Sequence, residues 1–552
     1  MNKQWVSVYA LCNFFIVTSF YQSILVYADT LDGLNKTWKH HEDSKVQNST
    51  IVHRFEFNIQ TRYAPLAASI PSHTAIYNEW PQPQLRKTLP HYISIATMIS
   101  QVQNISDSSY TLMGAPIHVV EQNLLDITLI NVLQNTGLSL HFHGFEMNNA
   151  VEYDGVVGLT QCAVPPSGIF RYKFKVNEKP GLYWYHTHSG NLGVESHNVI
   201  KAPLIVHPDN IESRKLVEKL NAITKSIQSG AKLDHSKLLS YKNERILFFS
   251  DGFTKSDNMI EMYSIGGLNS PVPINDDGFV TAAMEHEFGT VNGKMREVVH
   301  VMMGQTYKFR LVNGGTHFAY RISISNLALT IVASDSHPVI PYTVDEVILH
   351  NGERFDVEVS IPTNLKAGDV FWIRADTLEG RKYGYQNGIR AILHIVEDMD
   401  SVLTFSNDDI MDPRENIAQG SIPVEERKTM NCYSNLEKEE GAKNGFGSCL
   451  PIHSLQSLDT DMPQSDKNDK NHDTHQPVTV RTVDFDMNNA PLHAYFSRIE
   501  YGNWYQHVSS STHVFRSNFD RDHDFHPHAS VMNVPSHSSV IIIWRSRSIM
   551  DQ

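Results

Sequence analysis

A chain of 552 residues, 41% hydrophobic and 10% aromatic, has the length for two to four domains and ample apolar and aromatic content for β-rich cores. Its formal net charge of −14, with no basic block anywhere, argues against nucleic acid as a partner.

In chain order, the first element is a secretory signal. Lys3 precedes an apolar run from Trp5 to about Phe20, and Val26-Tyr27-Ala28 is a small-residue exit, so residues 1–28 are expected to be removed and the product secreted to the extracellular space. No later stretch is long and apolar enough to span a bilayer, which predicts no membrane span after cleavage. Residues 29–50 read as an N-terminal extension. Sequons at Asn35, Asn48 and Asn104 are compatible with a glycoprotein. Cys12 lies in the signal. Of the remaining cysteines, Cys432 and Cys449 flank a Gly-rich, charged loop and are expected to form a disulfide, leaving Cys162 free or without a partner.

The chemistry is carried by two His-x-His motifs, Leu140-His141-Phe142-His143-Gly144 and Trp184-Tyr185-His186-Thr187-His188. Side chains at i and i+2 of a strand point to one face, so each motif presents two imidazoles together, as a metal site needs. Imidazole suits copper, zinc and iron. With 29 histidines in the chain, about one or two such triplets arise by chance, so the flanks decide. Between the motifs run Tyr153-Asp154-Gly155, then Pro166-Ser167-Gly168-Ile169-Phe170-Arg171-Tyr172, then Lys179-Pro180-Gly181-Leu182-Tyr183 leading into Trp184.

This order of strand, turn and Trp-Tyr-His-x-His strand resembles the first domain of multicopper oxidases, laccases above all. The resemblance implies copper: His141 matches a type 2 ligand, and His143, His186 and His188 match type 3 ligands. Asp154 matches the carboxylate near the type 2 copper that helps deliver protons; the alternative, from its residues alone, is a plain turn aspartate before Gly155.

A common phrase then recurs. Asn351-Gly352-Glu353-Arg354-Phe355-Asp356-Val357 leads to Gly368-Asp369-Val370-Phe371-Trp372, as Pro166–Phe174 leads to Gly181–His186, and Pro535-Ser536-His537 opens a third copy ending near Trp544. Each copy is a turn followed by a strand at β-sandwich spacing. The resemblance makes this an all-β chain of three consecutive cupredoxin-like β-sandwich (Greek-key) domains, the third incomplete. Residues 51–209 form the copper-binding first domain, 244–398 a second domain without copper, and 399–552 a polar linker and the incomplete third. Between the first two, residues 210–243 are expected to be helical, because Leu216, Leu220, Ile223 and Ile227 recur at helical spacing.

In the third domain, Ala490-Pro491-Leu492-His493 occupies the place of the family's His-Pro-x-His-x-His stretch. His493 remains as a candidate type 2 ligand, whereas Ala490 replaces the type 1 histidine. His523, His526 and His528 abut the third phrase and read as loop histidines; His197, His337 and His350 stand singly. No His-Cys-His follows Cys449, so the type 1 thiolate is absent from the chain as written. The resemblance thus implies a secreted laccase-like oxidase coupling one-electron oxidation of a small-molecule reducing substrate, a phenol or a metal ion, to reduction of O2 to water. This chain is expected to be an incomplete, inactive copy of it. The alternative is a non-catalytic secreted cupredoxin scaffold that binds copper or serves a structural role. A zinc hydrolase is disfavoured, since neither motif has a nearby Asp-His or Glu to complete a catalytic zinc site.

Overall fold

The structure, a computed structural model, describes residues 51–65, 92–97, 113–133, 137–157, 160–188, 200–228, 236–252, 286, 288–316, 318–377, 388–399, 410–413, 426–432, 448–458, 478–486 and 539–547. The expected all-β class holds across them.

The first sandwich is made of β1 (Val52–Pro65), β2 (Tyr92–Thr97), β3 (Ile117–Val120), β4 (Leu124–Asn131), β5 (His141–His143), β6 (Ile169–Lys175), β7 (Gly181–His186) and β8 (Lys201–His207). One sheet has the order β2-β1-β4-β6 and the other β3-β8-β7-β5. Alternation builds the core. Leu125, Ile127 and Leu129 of β4 and Tyr172 and Phe174 of β6 point inward and are buried with Phe57 and Ile59 of β1 and Phe142 of β5. Each such side chain contributes about 1.5–3 kcal/mol by leaving water. Asp126 breaks the pattern on β4, and its burial is offset by two hydrogen bonds from the Arg171 guanidinium at 2.7 Å and one from Arg54 at 3.0 Å.

Helix α1 (Ile211–Gln228) and the single turn α2 (Ser236–Leu239) follow. Three of the four apolar positions at helical spacing, Leu216, Leu220 and Ile223, face the first core, and the side chain of Ile227 lies outside the described residues. Leu220 is buried against the first core, and Leu216 and Ile223 pack on it half-buried.

The second sandwich comprises β9 (Ser240–Tyr241), β10 (Glu244–Gly252), β11 (Phe288–Val291), β12 (Glu297–Met302), β13 (Thr306–Asn313), β14 (Tyr320–Ile324), β15 (Leu329–Ser334), β16 (His337–Val344), β17 (Glu346–Leu349), β18 (Arg354–Ser360), β19 (Val370–Thr377), β20 (Gly388–Val396), β21 (Lys428–Met430) and β22 (Ser448–Leu450). Its sheets run β11-β10-β13-β18-β15-β16, with β9 beside β10, and β12-β20-β19-β14-β17-β21-β22. The second recurring phrase is β18 followed by β19, as the first is β6 followed by β7. Ile246, Phe248 and Val312 of this sandwich are buried with the core of the first, so the two share one apolar seam.

Of the region expected to be a third domain, β23 (Val478–Asp486) and β24 (Ser539–Arg547) pair in parallel. His493, Ala490, the loop histidines after His523 and the three sequons lie outside the described residues.

Cys432 and Cys449 form the expected disulfide, next to the parallel pairing of β21 with β22. The expectation for Cys162 is overturned: it is disulfide-bonded, and no described cysteine is free. Its partner lies outside the described residues, among which the only other cysteines, Cys432 and Cys449, bond to each other.

Candidate metal centre

The two His-x-His motifs meet because their strands pair. β5 runs antiparallel to β7 in the register His141↔His186, Phe142↔Tyr185 and His143↔Trp184. Phe142 and Tyr185 therefore fill the core, and the opposite face carries His141, His143, Trp184 and His186 together. His188 lies just past the end of β7 on the same side. Its ring centroid is 5.3 Å from that of His141 and 5.7 Å from that of His186. One ring nitrogen from each of His141, His143 and His186 lies within 4.8 Å of the other two. Three of the four imidazoles expected from the sequence thus form one tight group, and His188 stands beside it.

Local structure aims each ring. Leu140, just before β5, donates its backbone N–H to Tyr172 Oη at 2.8 Å, and that hydroxyl donates to Gln161 Oε1 at 2.9 Å. A buried tyrosine of β6 thereby pins the approach to His141. The backbone N–H of His188 donates to Ser139 Oγ at 3.3 Å, and its carbonyl accepts from Val157 N at 3.2 Å. Asp154 closes a single helical turn over Val151–Tyr153 and is followed by Gly155 at φ +81°. A Cβ at Gly155 would lie 1.9 Å from the Leu140 carbonyl oxygen, so this turn can sit against β5 only with glycine there.

Tautomers follow from the partners, since a carbonyl oxygen only accepts. His141 Nδ1 donates to the Asp154 carbonyl at 2.7 Å, with the Asp154 carboxylate Oδ1 at 3.3 Å, which leaves His141 Nε2 with its lone pair bare. His186 Nδ1 donates to the Thr187 carbonyl at 2.8 Å. His186 Nε2 is consequently a buried acceptor, and it has no hydrogen-bond partner. Orphaned buried acceptors are rare and costly, and a cation at this nitrogen would satisfy it. The indole of Trp184 stacks on His186 at 4.4 Å and on His143 at 4.7 Å, fixing both ring planes.

Burial favours the neutral form of His143, His186 and His188. Burial pushes His143 down to about 3, helped by the Arg354 guanidinium and by neighbouring histidines. Burial also holds His186 well below the ordinary histidine value and lowers His188. Neutral imidazoles, bare nitrogens and no thiolate in the group constitute a borderline nitrogen-donor set, which fits copper or zinc. Of the histidines that stand singly in the sequence, His337 is exposed at the start of β16 and His350 is half-buried after β17, both outside the group, and His197 lies outside the described residues. The pinning role of Tyr172 and the indole between two imidazoles went unread in the sequence, although the strand register makes both unavoidable.

Residues 94–211 match the multicopper oxidase family, and residues 244–395 match it a second time. The chain belongs to the multicopper oxidases. Among curated relatives of this multicopper oxidase, Laccase-2 of Cryptococcus neoformans var. grubii is 29% identical over 270 residues, covering 47% of this chain and 41% of that protein. Laccase-1 of the same fungus is 26% identical over 336 residues, 58% of this chain and 50% of that protein. Oxidoreductase OpS5 of Beauveria bassiana is 29% identical over 268 residues, 47% of this chain and 40% of that protein. The chain spans half or less of the length of these relatives. Among solved structures, that of Fet3p, described as a multicopper oxidase that functions in iron import, aligns with a TM-score of 0.47 and 18% identity over 79% of this chain and 61% of that one. No helix of the described residues is long and apolar enough to cross a membrane.

Proposed function

We propose that this chain carries the first-domain half of a laccase-like copper centre: His141 as type 2 ligand, His143, His186 and His188 as type 3 ligands, and Asp154 as the outer carboxylate beside His141. The observation that carries the reading is the convergence of His141, His143 and His186 within 4.8 Å, with the buried Nε2 of His186 lacking any partner. Copper, when bound, supplies the one-electron chemistry by which dioxygen is reduced to water. The chain's own residues do the rest. His141 and His186 hold their Nδ1 protons against main-chain carbonyls and keep Nε2 open, Trp184 fixes the ring planes, and the Asp154 carboxylate stands at 3.3 Å from His141 Nδ1, where it can take up and release protons at the edge of the site.

The proposed reaction class is oxidation of a small reducing substrate, phenolic or similar, or a metal ion, with O2 as acceptor, by a secreted protein. His493 is proposed as the surviving third-domain ligand. Because Ala490 stands where the type 1 histidine is expected, the chain by itself is proposed to bind copper without turning over substrate. That outcome coincides with the scaffold reading, in which copper is held without redox turnover.

The test is copper stoichiometry and electron paramagnetic resonance on the purified full chain, together with O2 uptake on a simple diphenol. Bound copper that is lost in His186→Ala, without O2 uptake, supports the proposal. Sustained O2 uptake overturns the inactivity, and stoichiometric zinc with no affinity for copper overturns the copper assignment.

A further inference from the structure

We infer that the turn between β17 and β18, in the second sandwich, is a positioning device for His143 in the first, with Gly352 seating the imidazole and Arg354 and Ser336 clamping the sandwiches around it. The inference rests on the copper reading above and assigns the copper-free domain a part in that centre.

The argument starts at the end of β5. That strand stops at His143, opposite Trp184, so β7 continues beyond it to Leu182 without β5 as a neighbour. The Leu182 carbonyl takes hydrogen bonds from the second sandwich: Ser336 Oγ donates at 2.7 Å and Arg354 Nε at 3.2 Å. The Arg354 guanidinium is held in turn by the Asp335 carboxylate at 3.0 Å and lies 5.8 Å from the centre of the Tyr183 ring. It also reaches the residue after His143, since a Cβ at Gly144 would lie 2.5 Å from one of its terminal nitrogens. One side chain of the second sandwich thus grips both strands that bear the centre, on either side of His143. A planar fork with fixed donors suits that geometry where a lysine does not.

Gly352 delivers the contact itself. Its N–H donates to the Asn313 carbonyl at 2.8 Å, anchoring the turn, and its φ of +86° is one that glycine adopts freely. A Cβ built there would lie 2.6 Å from His143 Cε1 and 2.7 Å from Nε2, but 3.7 Å from Nδ1. The main chain therefore abuts the Cε1–Nε2 edge of the ring, while the Trp184 indole covers its face at 4.7 Å. Held on an edge and a face, the imidazole has no room to turn. A methyl group at position 352 must push it out of line with His141 and His186.

The test compares Gly352→Ala, Ser336→Ala and Arg354→Lys in the full chain with Gly368→Ala. Gly368 has a similar φ of +92° and nothing within 4 Å of a Cβ, so it controls for backbone strain alone. Copper affinity, the Cu(II) paramagnetic resonance spectrum and thermal melting are measured on each. Gly352→Ala is expected to weaken copper binding on the order of 10- to 100-fold and to alter the spectrum, as loss of an outer-sphere support does. Gly368→Ala is expected to keep the parent spectrum and affinity. Ser336→Ala and Arg354→Lys, which loosen the clamp without filling the seat, are expected to shift the spectrum in the same sense by less, and they carry the test if Gly352→Ala does not fold. A Gly352→Ala protein with parental copper affinity and spectrum overturns the inference. If the parent chain takes up no copper, the copper reading fails by itself. The seat is then read from carbethoxylation of His143 by diethyl pyrocarbonate in the metal-free protein: faster modification in Gly352→Ala supports it, and an unchanged rate overturns it.

Discussion

The carbonyl oxygen of Asp154, rather than its carboxylate, is the nearer partner of His141: Nδ1 donates to it at 2.7 Å, and carboxylate Oδ1 lies at 3.3 Å. Main chain therefore fixes the tautomer, and the side chain is left for proton handling. Asp154→Asn should consequently retain copper, with affinity within about 10-fold of the parent, below the range for losing an outer-sphere partner altogether. Equilibrium dialysis against copper checks this, and a loss far beyond that range would assign the tautomer to the carboxylate instead.

Removal of a ring that supplies a bare nitrogen is a different perturbation. His186→Ala should lower copper affinity by more than the roughly 10- to 100-fold that loss of an outer partner costs, because no neighbour can replace its buried Nε2. The apo protein should meanwhile be unharmed or slightly stabilised, since an orphaned buried acceptor is removed, at the expense of packing against Trp184. Metal titration and apo-protein melting separate the two effects.

Tyr172→Phe keeps the ring in the first core but deletes the hydroxyl that accepts from Leu140 N and donates to Gln161. Both partners are buried, so the expected loss is about 1–3 kcal/mol of stability. Chemical denaturation of the parent and the variant measures it. A concurrent fall in copper affinity is expected too, because the lost bond tethers the entry to β5.

Acid should destabilise the fold through histidines remote from the metal centre. His118 donates from Nε2 to the Leu238 carbonyl at 2.9 Å and faces His207 Nε2 from Nδ1 at 3.0 Å, and His53 accepts from Val120 N. Burial holds His53 and His207 down to about 4, and His118 well below the usual value. The folded values lie below the unfolded 6.5, so stability is complete above pH 6.5 and falls as the pH drops toward 4, where the unfolded chain takes up protons that the folded one refuses. His53 and His207 each account for about 2–3 kcal/mol of that loss at pH 4.5. Unfolding free energies at pH 7.5 and 4.5 should show it, and His207→Gln should flatten the difference.

Much of this arrangement was readable beforehand. Alternation put His141 and His143 on one face, the resemblance carried by the flanking phrase named His186 as a fellow ligand, and Leu216, Leu220 and Ile223 marked the helix after the first sandwich. These are short-range patterns with periods of two and 3.6 residues, and periodicity is what a sequence displays directly. Contacts across long separations escaped. Gly352 was visible only as the opening of a recurring turn, and nothing in its neighbourhood announces His143, 209 positions earlier in the numbering. The His118–His207 pair was hidden for the same reason.

The pairing of β5 with β7 has a consequence for assembly. Shifting β5 by one residue against its neighbour would turn His141 and His143 toward the interior and bring Phe142 out among the polar rings. The same apolar side chains that drive the sandwich to close therefore proofread the donor set, because only the correctly registered sheet can bury Phe142 and Tyr185 at once. A chain that has closed its first core has already gathered its imidazoles, and a chain caught in a slipped alignment has neither core nor site to offer an incoming ion.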